Sequence, residues 1–185
     1  MCCINISHIR RYLTLSATKT LVQACVTSRL DYANALLYGL PNTSIQRLQR
    51  TQNAAARLVT KTKRREHITP ILMELYWLPM SHRIRYKVLL LVYKALHNLA
   101  PSYIADMVKI HQPARSLRSA NTNQLSIPKT RLRSWGDRSF QYAAAFEWNN
   151  LPLAIRESPS LASFKKCLKT FLFRSAYQWI HSHEL

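Results

Sequence analysis

Apolar residues recur through much of the chain at intervals of three and four, the spacing that places side chains on one face of an α-helix. The clearest case lies within residues 43–65. Thr43 or Ser44 is expected to cap the start of this helix with its hydroxyl group. The face predicted to point inward consists of Ile45, Leu48, Gln52, Ala55 and Val59. The segment is therefore predicted to be an amphipathic helix that packs on a core.

Two more helices are predicted on either side of this segment. A long helix should begin after Ser16 and end at Gly39 and Pro41, because glycine and proline terminate helices. Its buried residues are expected to be Leu21, Cys25, Leu36 and Leu37. Thr69, followed by a proline at the first helical position, should cap a shorter helix that ends before Pro79.

The helix predicted from Ser81 is apolar almost all round at its centre, so it should occupy the middle of the core. Its buried face is expected to contain Ile84, Val88, Leu91, Val92, Ala95 and Leu99. Pro101 should open a short helix, and another should follow Asp137 and stop before Pro152. The last helix should start at Ser160 and bury Leu161, Phe164, Leu168, Phe171 and Leu172.

The composition changes near residue 109, where serine, asparagine and basic residues replace the apolar repeats. This stretch is expected to be a loop, and residues 125–135 could form a short two-stranded β-ribbon with Pro128 on an edge strand. The pattern suggests a helical domain at 1–108, a basic linker at 109–136 and a C-terminal helical extension at 137–185. The predicted fold class is mainly α, a helical bundle with a basic loop.

The net charge is +19, from 27 Lys and Arg against 8 Asp and Glu. Self-repulsion on this scale disfavours a compact state unless a partner neutralises it. A polyanion is the expected partner, with RNA, DNA or an RNA–DNA hybrid ahead of an anionic membrane surface. The alternative is a basic protein whose charges are simply solvated. The longest apolar run, "VLLLVY" at 88–93, is far too short to cross a bilayer.

Basic residues concentrate on the predicted helix at 43–65, on the helix from Ser81, in the linker and on the last helix. No acidic residue interrupts the first group until Glu66, which favours a binding surface over a solvated face of mixed charge. The residues expected to contact phosphates are Arg47, Arg50, Arg57, Lys61, Lys63, Arg64, Arg65, Arg83, Lys87, Lys94, Arg115, Arg118, Lys129, Arg131, Arg133, Lys165, Lys166 and Lys169.

Groups that could catalyse a reaction are sparse. No two of the acidic residues are adjacent or two positions apart, so the carboxylate cluster that two-metal phosphoryl transfer needs is not evident. The cysteines form no Cys-x-x-Cys pair, and no histidine lies at zinc-finger spacing from them. Cys25 lies on an apolar helical stripe and is expected in the core rather than as a nucleophile. We expect no enzyme activity, no metal and no cofactor.

Several aromatic residues lie beside basic ones. Tyr86, Trp135 and Tyr177 could stack on bases, although a core position is the more usual role for such side chains. Trp77 and Trp148, at predicted helix ends, are expected to pack in the core.

The amino-acid sequence resembles that of one protein family over almost its whole length, from about Ile4 to Tyr177. Five segments occur in order: "SRLDYANALLYGLP", "IQRLQRTQNAAARLV", "HITPILMELYWLP", "RIRYKVLLLVYKALHNLAPSYIADMV" and "GDRSFQYAAAFEWNNLPLAIRESPSLASFKKCLKTFLF". Together they resemble the C-terminal region of reverse transcriptases from LINE-type, non-LTR retrotransposons of the Jockey-like group. One departure is Ala33, where the family pattern has cysteine.

The resemblance implies a thumb-like helical segment and a C-terminal extension that hold template and primer near a catalytic site located elsewhere. The family's palm carries an Asp-Asp pair, which this sequence lacks, and its N-terminal endonuclease is also missing. The resemblance therefore implies nucleic-acid binding without catalysis, and no family residue with an assigned role can be carried over.

The start at Met1 suggests a truncated element, whose first helices would expose an apolar patch that includes Leu13, Leu15 and Leu21. Two alternatives follow: a module that docks on a reverse transcriptase palm in trans, or a remnant without function. The basic run at 61–65 could serve as a nuclear import signal, which leaves nucleus and cytosol open. The first residues lack a long apolar stretch, so secretion is not expected.

Overall fold

A computed structural model describes residues 2–111 and 123–181. This part of the chain is mainly helical, which confirms the predicted fold class. Its residues form two compact units. The first contains residues up to Asn34, then Leu40–Arg83, then the chain from Ser175; the second contains Ala35–Gly39 and Ile84–Arg174. None of the described helices is long and apolar enough to cross a membrane.

The first unit is built from short helices around one long helix. Its helices are α1 (Cys2–Ile9), α2 (Leu15–Val22), α3 (Ser28–Asp31), α4 (Asn42–Thr60) and α5 (Ile68–Glu74). A 3₁₀ turn (Arg10–Tyr12) follows α1, and a π-helical segment (Gln23–Thr27) joins α2 to α3. A second 3₁₀ turn, Asn34–Leu37, begins in the first unit at Asn34 and otherwise belongs to the second unit.

The core of the first unit lies between α1, α2, the π-helical segment and α4. Its buried members are Ile6, Val22, Val26, Ala55 and Val59. Cys25 and Trp77 pack against this cluster, as their apolar surroundings in the sequence predict. The inward face predicted for α4 is confirmed, because Gln52, Ala55 and Val59 are buried.

The second unit contains most of α6 (Met80–Leu96), which begins in the first unit. Shorter helices follow: α7 (Ser102–Ala105), α8 (Arg133–Gly136), α9 (Phe140–Asn149) and α10 (Leu153–Arg156). The last helix, α11 (Leu161–His181), belongs to this unit as far as Arg174.

The core of the second unit is aromatic at its centre. The Tyr93 ring on α6 stacks on Phe164 of α11 at 4.2 Å, and Trp148 of α9 lies 6.0 Å from the same phenylalanine. The Tyr93 hydroxyl donates to the Ser158 carbonyl at 2.9 Å. The predicted faces of α6 and α11 therefore meet, since Val88 and Val92 of α6 and Leu168 and Leu172 of α11 are also fully buried.

Several predicted helix starts are wrong by two or three residues. Thr14, not Ser16, caps α2, and its hydroxyl accepts from the Ala17 backbone N–H. The cap residue of α4 is Pro41, so neither Thr43 nor Ser44 caps that helix, and α5 begins after His67 rather than Thr69. Because backbone carbonyls can accept the first helical bonds without a side-chain cap, a nearby hydroxyl does not fix the start.

The long helix predicted up to Gly39 is broken. After α3 the chain leaves the helical conformation at Tyr32, and Ala33 has a positive φ of 49°. Leu36, predicted to be buried, is 82% exposed. Leu99 is also exposed because α6 ends at Leu96.

The β-ribbon predicted at 125–135 is not formed in the described residues, where a single antiparallel bridge joins Ile110 to Leu125. The Asn149 side chain holds the extended chain instead, donating to the Leu125 carbonyl and accepting from its N–H. Because the amide pairs with both backbone groups of Leu125, it takes the place of a partner strand. The two compact units also divide the chain differently from the three ranges that composition suggested.

Candidate nucleic-acid interface

The outer face of α4 presents the cations that the helical pattern predicted. Arg47 and Arg50 are exposed, and Arg57, one turn from the helix end, is half-buried. No acidic residue occurs in α4, so this face keeps its positive charge. The helix forms because its opposite face, with Gln52 and Val59, is buried in the core of the first unit.

The end of α4 differs from the prediction. The helix stops at Thr60, and Lys61 adopts the left-handed conformation, with φ 59° and ψ 28°. The backbone N–H groups of Lys61 and Thr62 both donate hydrogen bonds to the Arg57 carbonyl. Arg64 therefore lies beyond the helix rather than on its basic face, while Lys63, Arg64 and Arg65 are all exposed in the turn that follows.

Glu66 closes this turn. Its carboxylate accepts from the Lys63 backbone N–H at 3.3 Å, and its carbonyl accepts from Arg57 Nη2 at 3.1 Å. Glu66 is therefore engaged with the backbone and shows no ion pair with a neighbouring cation among the described contacts.

A cleft of about 500 Å³ lies beside the end of α4, within the first unit. Its polar lining comes from α1, from the residue after it and from the end of α4: Ser7, His8, Arg10, Arg57, Lys61 and Thr62. The structure thus brings two predicted residues, Arg57 and Lys61, together with two that the sequence did not single out, His8 and Arg10. No spacing in the sequence links residue 10 to residue 57, because α1 reaches α4 only through the fold.

Arg10 is buried and holds the last turn of α4. Its Nε donates to the Leu58 carbonyl at 2.9 Å, Nη2 to the Val59 carbonyl at 3.2 Å and Nη1 to the Leu13 carbonyl at 2.9 Å. A cation that binds the free carbonyls at a helix end also complements the negative end of the helix dipole. Arg10 therefore fixes α4 against α1.

Arg83, predicted to contact phosphate, is paired instead. Its Nε donates to Asp31 Oδ1 at 2.9 Å, and a second contact joins Nη2 to Oδ2. This two-point pair neutralises the guanidinium within the first unit and makes Arg83 the least suitable member of the predicted set.

The predicted cations of the second unit differ in exposure. Lys87 and Lys94 on α6 are half-buried, whereas Lys129, Arg131, Lys165, Lys166 and Lys169 are exposed. Arg133 begins α8, but its side chain lies outside what the structure describes, as do Arg115 and Arg118 entirely. The densest described group of cations is therefore the one in the first unit.

The three aromatic residues considered for base stacking differ in their exposure to solvent. Trp135 is 71% exposed, and the Arg138 guanidinium lies 5.3 Å from its ring, so this indole is open to a base. Tyr177 is buried, and its hydroxyl donates to the Trp77 carbonyl at 2.6 Å, so the stacking role considered for it is wrong. Tyr86 is half-buried, and burial raises the pKa of its phenol.

A buried acidic network in the second unit was not foreseen. Glu147 on α9 accepts from the Tyr38 hydroxyl at 3.0 Å and from Arg85 Nε at 2.8 Å. Burial, and then the Glu147 charge, raise the pKa of Tyr38 far above its usual range. Because Glu147 pairs with both Tyr38 and Arg85, we interpret the network as one that stabilises the fold. Over residues 2–111 and 123–181, no group of His, Cys, Asp and Glu side chains is arranged to hold a metal ion.

Comparison with known proteins identifies no relative. No protein-family model, curated protein or solved structure matches this chain.

Proposed function

We propose that this chain is a non-catalytic nucleic-acid-binding module, similar to the C-terminal region of a non-LTR retrotransposon reverse transcriptase. It binds RNA, DNA or their hybrid through backbone phosphates, with little preference for sequence. Catalysis would belong to a polymerase palm that this sequence does not contain.

The observation that carries the proposal is the basic surface at α4 and the turn after it. Exposed cations occupy this surface without a carboxylate partner among the described ion pairs: Arg47, Arg50, Lys61, Lys63, Arg64 and Arg65. Solvated helix faces normally mix both signs of charge, and a surface of one sign attracts a polyanion. A phosphate backbone fits because its charges are evenly spaced and accept hydrogen bonds from arginine and lysine.

The test is fluorescence anisotropy with labelled RNA, duplex DNA and RNA–DNA hybrid over a series of salt concentrations. Wild type should bind all three at low salt, with affinity that falls steeply as salt rises. The Arg47→Ala/Arg50→Ala variant should flatten the plot of log K against log salt by about 1.8 for duplex DNA, if each arginine contacts one phosphate.

The matched control removes two charges elsewhere. Lys109 and Arg174 are exposed cations of the second unit outside the predicted set, so Lys109→Ala/Arg174→Ala should leave the slope close to that of wild type. Circular dichroism verifies that both variants keep their helices. If folded wild type binds none of the three nucleic acids at low salt, the proposal is wrong.

A second candidate function rests on exposed apolar side chains of the first unit. Tyr12, Leu15 and Tyr32 are exposed, whereas Leu13 and Leu21 of the predicted patch are half-buried. Such a surface suits a module that docks on a polymerase palm in trans. Pull-down with a palm-containing fragment tests this idea, and no complex at any salt concentration would remove it. A remnant without function would show neither activity.

A further inference from the structure

Arg10 is a buried cation that forms no ion pair with any carboxylate of the described residues. It exposes 9% of its surface, and its described partners are three neutral backbone carbonyls of Leu13, Leu58 and Val59. Buried charges in proteins are normally paired with an opposite charge, because burial in a medium of low polarity is costly. The charge of Arg10 is thus incompletely balanced by the protein groups that the structure describes.

The cleft that Arg10 borders is large enough for an anion. Arg57 borders the cleft, and its Nε is buried with no hydrogen-bond partner. Lys61 and His8 also border it, and no carboxylate side chain does. A buried donor without a partner in the protein normally requires an explanation, such as a bound water or ion.

Lys61 occupies a position where glycine is the usual residue. It is the residue after α4, with φ 59°, and glycine adopts this conformation without the clash that a Cβ atom causes. Strained residues of this kind are concentrated at functional sites. Glycine at this position would be more stable but uncharged, whereas Lys61 places a positive charge at the cleft.

A neighbouring cleft provides a contrast. It shares Arg10 and Lys61 but is also bordered by Glu74, whose charge opposes an anion. Of these two neighbouring clefts, only the one lined by His8 and Arg57 has cations on its border and no carboxylate.

We propose that this cleft is a phosphate site: the Arg57 guanidinium and Lys61 bind one phosphate group, whose charge also balances Arg10. The proposal rests on the proposed function, in which the phosphate belongs to a nucleic-acid strand, but a free phosphate ion offers the same chemistry. The site would fix the register of the strand on the basic surface of α4.

Two substitutions separate binding from folding. Lys61→Gly removes the charge and the strained backbone together, so its melting temperature should equal or exceed that of wild type while its affinity for a labelled single-stranded RNA falls about tenfold. Arg57→Lys keeps a charge but loses the Nε donor, and it should weaken binding to a similar degree. Arg174→Ala, a single exposed charge of the second unit, should leave the affinity within about twofold of wild type.

A direct readout is the NMR resonance of the Arg57 Nε–H group. Inorganic phosphate and the RNA are titrated separately into wild-type protein, with sodium chloride at matched ionic strength as the reference. Both ligands should shift this resonance, and chloride should not. A shift with inorganic phosphate alone would assign the site to the free ion rather than to a strand.

The outcomes distinguish this proposal from the broader one. Suppose that wild type binds RNA, that Lys61→Gly and Arg57→Lys bind RNA as tightly as Arg174→Ala does, and that the Arg57 Nε–H resonance does not shift. The proposal of a phosphate site is then wrong, while the proposal of nucleic-acid binding is unaffected. If wild type binds none of RNA, duplex DNA and RNA–DNA hybrid, the proposed function is wrong, and the phosphate titration alone then decides whether the cleft binds a free ion.

Discussion

The tertiary structure determines both the burial and the hydrogen-bond partner of the Tyr177 hydroxyl group. The sequence places this residue beside Arg174, as if to stack on a base, but the structure buries it and directs its hydroxyl at the Trp77 carbonyl. Burial raises the pKa of Tyr177 to about 12, above the usual tyrosine value of about 10. The folded protein therefore favours the neutral phenol.

The pH dependence of stability follows from the direction of this shift. A group whose pKa is higher in the folded state contributes stability that is complete below its unfolded pKa and disappears as the pH rises through its folded pKa. For Tyr177 the loss should run from about pH 10 to about pH 12.

The Tyr177→Phe variant tests this prediction by urea unfolding at several pH values. At pH 8 the variant should be less stable by about 1 kcal/mol, because it lacks the hydrogen bond to Trp77. The difference in the free energy of unfolding between wild type and variant should shrink above pH 10, because only wild type loses the stability that the neutral Tyr177 phenol contributes. Tyr103→Phe, at an exposed tyrosine, should have the stability of wild type; a difference that stays constant up to pH 12 would contradict the prediction.

At the scale of one element, α4 combines a basic outer face with a polar contact in its buried face. Gln52 is 1% exposed, and its amide donates to the Leu78 carbonyl at 2.8 Å. Gln49 donates to Gln52 and accepts from the Met80 N–H at 2.8 Å. Two glutamines therefore satisfy the backbone where the chain turns into α6.

The Gln52→Ala variant should destabilise the protein by about 1–3 kcal/mol, since it leaves the Leu78 carbonyl buried without its donor and opens a cavity. Gln46→Ala, at an exposed position of the same helix, is the matched control and should change stability by less than about 0.5 kcal/mol. Thermal or urea unfolding gives both values. Equal stability of the two variants would show that the network contributes little.

The network around Glu147 leads to a similar prediction for α9. Glu147→Gln removes the charge that pairs with Arg85, which is itself partly exposed, and weakens the acceptor for the Tyr38 hydroxyl. We expect a loss of about 2 kcal/mol, below the 3–5 kcal/mol typical of breaking a fully buried pair, because water reaches Arg85. Glu157→Gln, at an exposed acid, is the control, and urea unfolding at neutral pH is the measurement.

At the scale of the whole molecule, the net charge of +19 is the dominant feature. Repulsion among like charges opposes the compact state and is reduced by salt, since the screening length falls from about 30 Å at 0.01 M to about 8 Å at 0.15 M. The melting temperature should therefore rise with sodium chloride over this range. Arg47→Glu/Arg50→Glu lowers the net charge by four and should reduce that rise; an unchanged melting temperature in wild type would contradict the argument.

The helices were predictable wherever a periodic apolar face also became buried. The faces of α4, α6 and α11 are correct because each repeats over several turns, so one side must be withdrawn from water. The predicted starts of α2, α4 and α5 are wrong because a nearby hydroxyl group does not fix where a helix begins, and α4 and α5 begin with no side-chain cap at all. Leu36 is exposed because the chain breaks at Tyr32, which no local pattern indicated.

The sequence alone determined the helical class, the inward faces of the long helices and the excess of positive charge, because these properties follow from composition and from spacing within one helix. Only the tertiary structure decided which cations meet. It placed Arg10 of the first turns beside Arg57 and Lys61, paired Arg83 with Asp31, and enclosed Glu147 with Arg85. These contacts join residues that are dozens of positions apart, and only packing of the helices brings such residues within hydrogen-bonding distance.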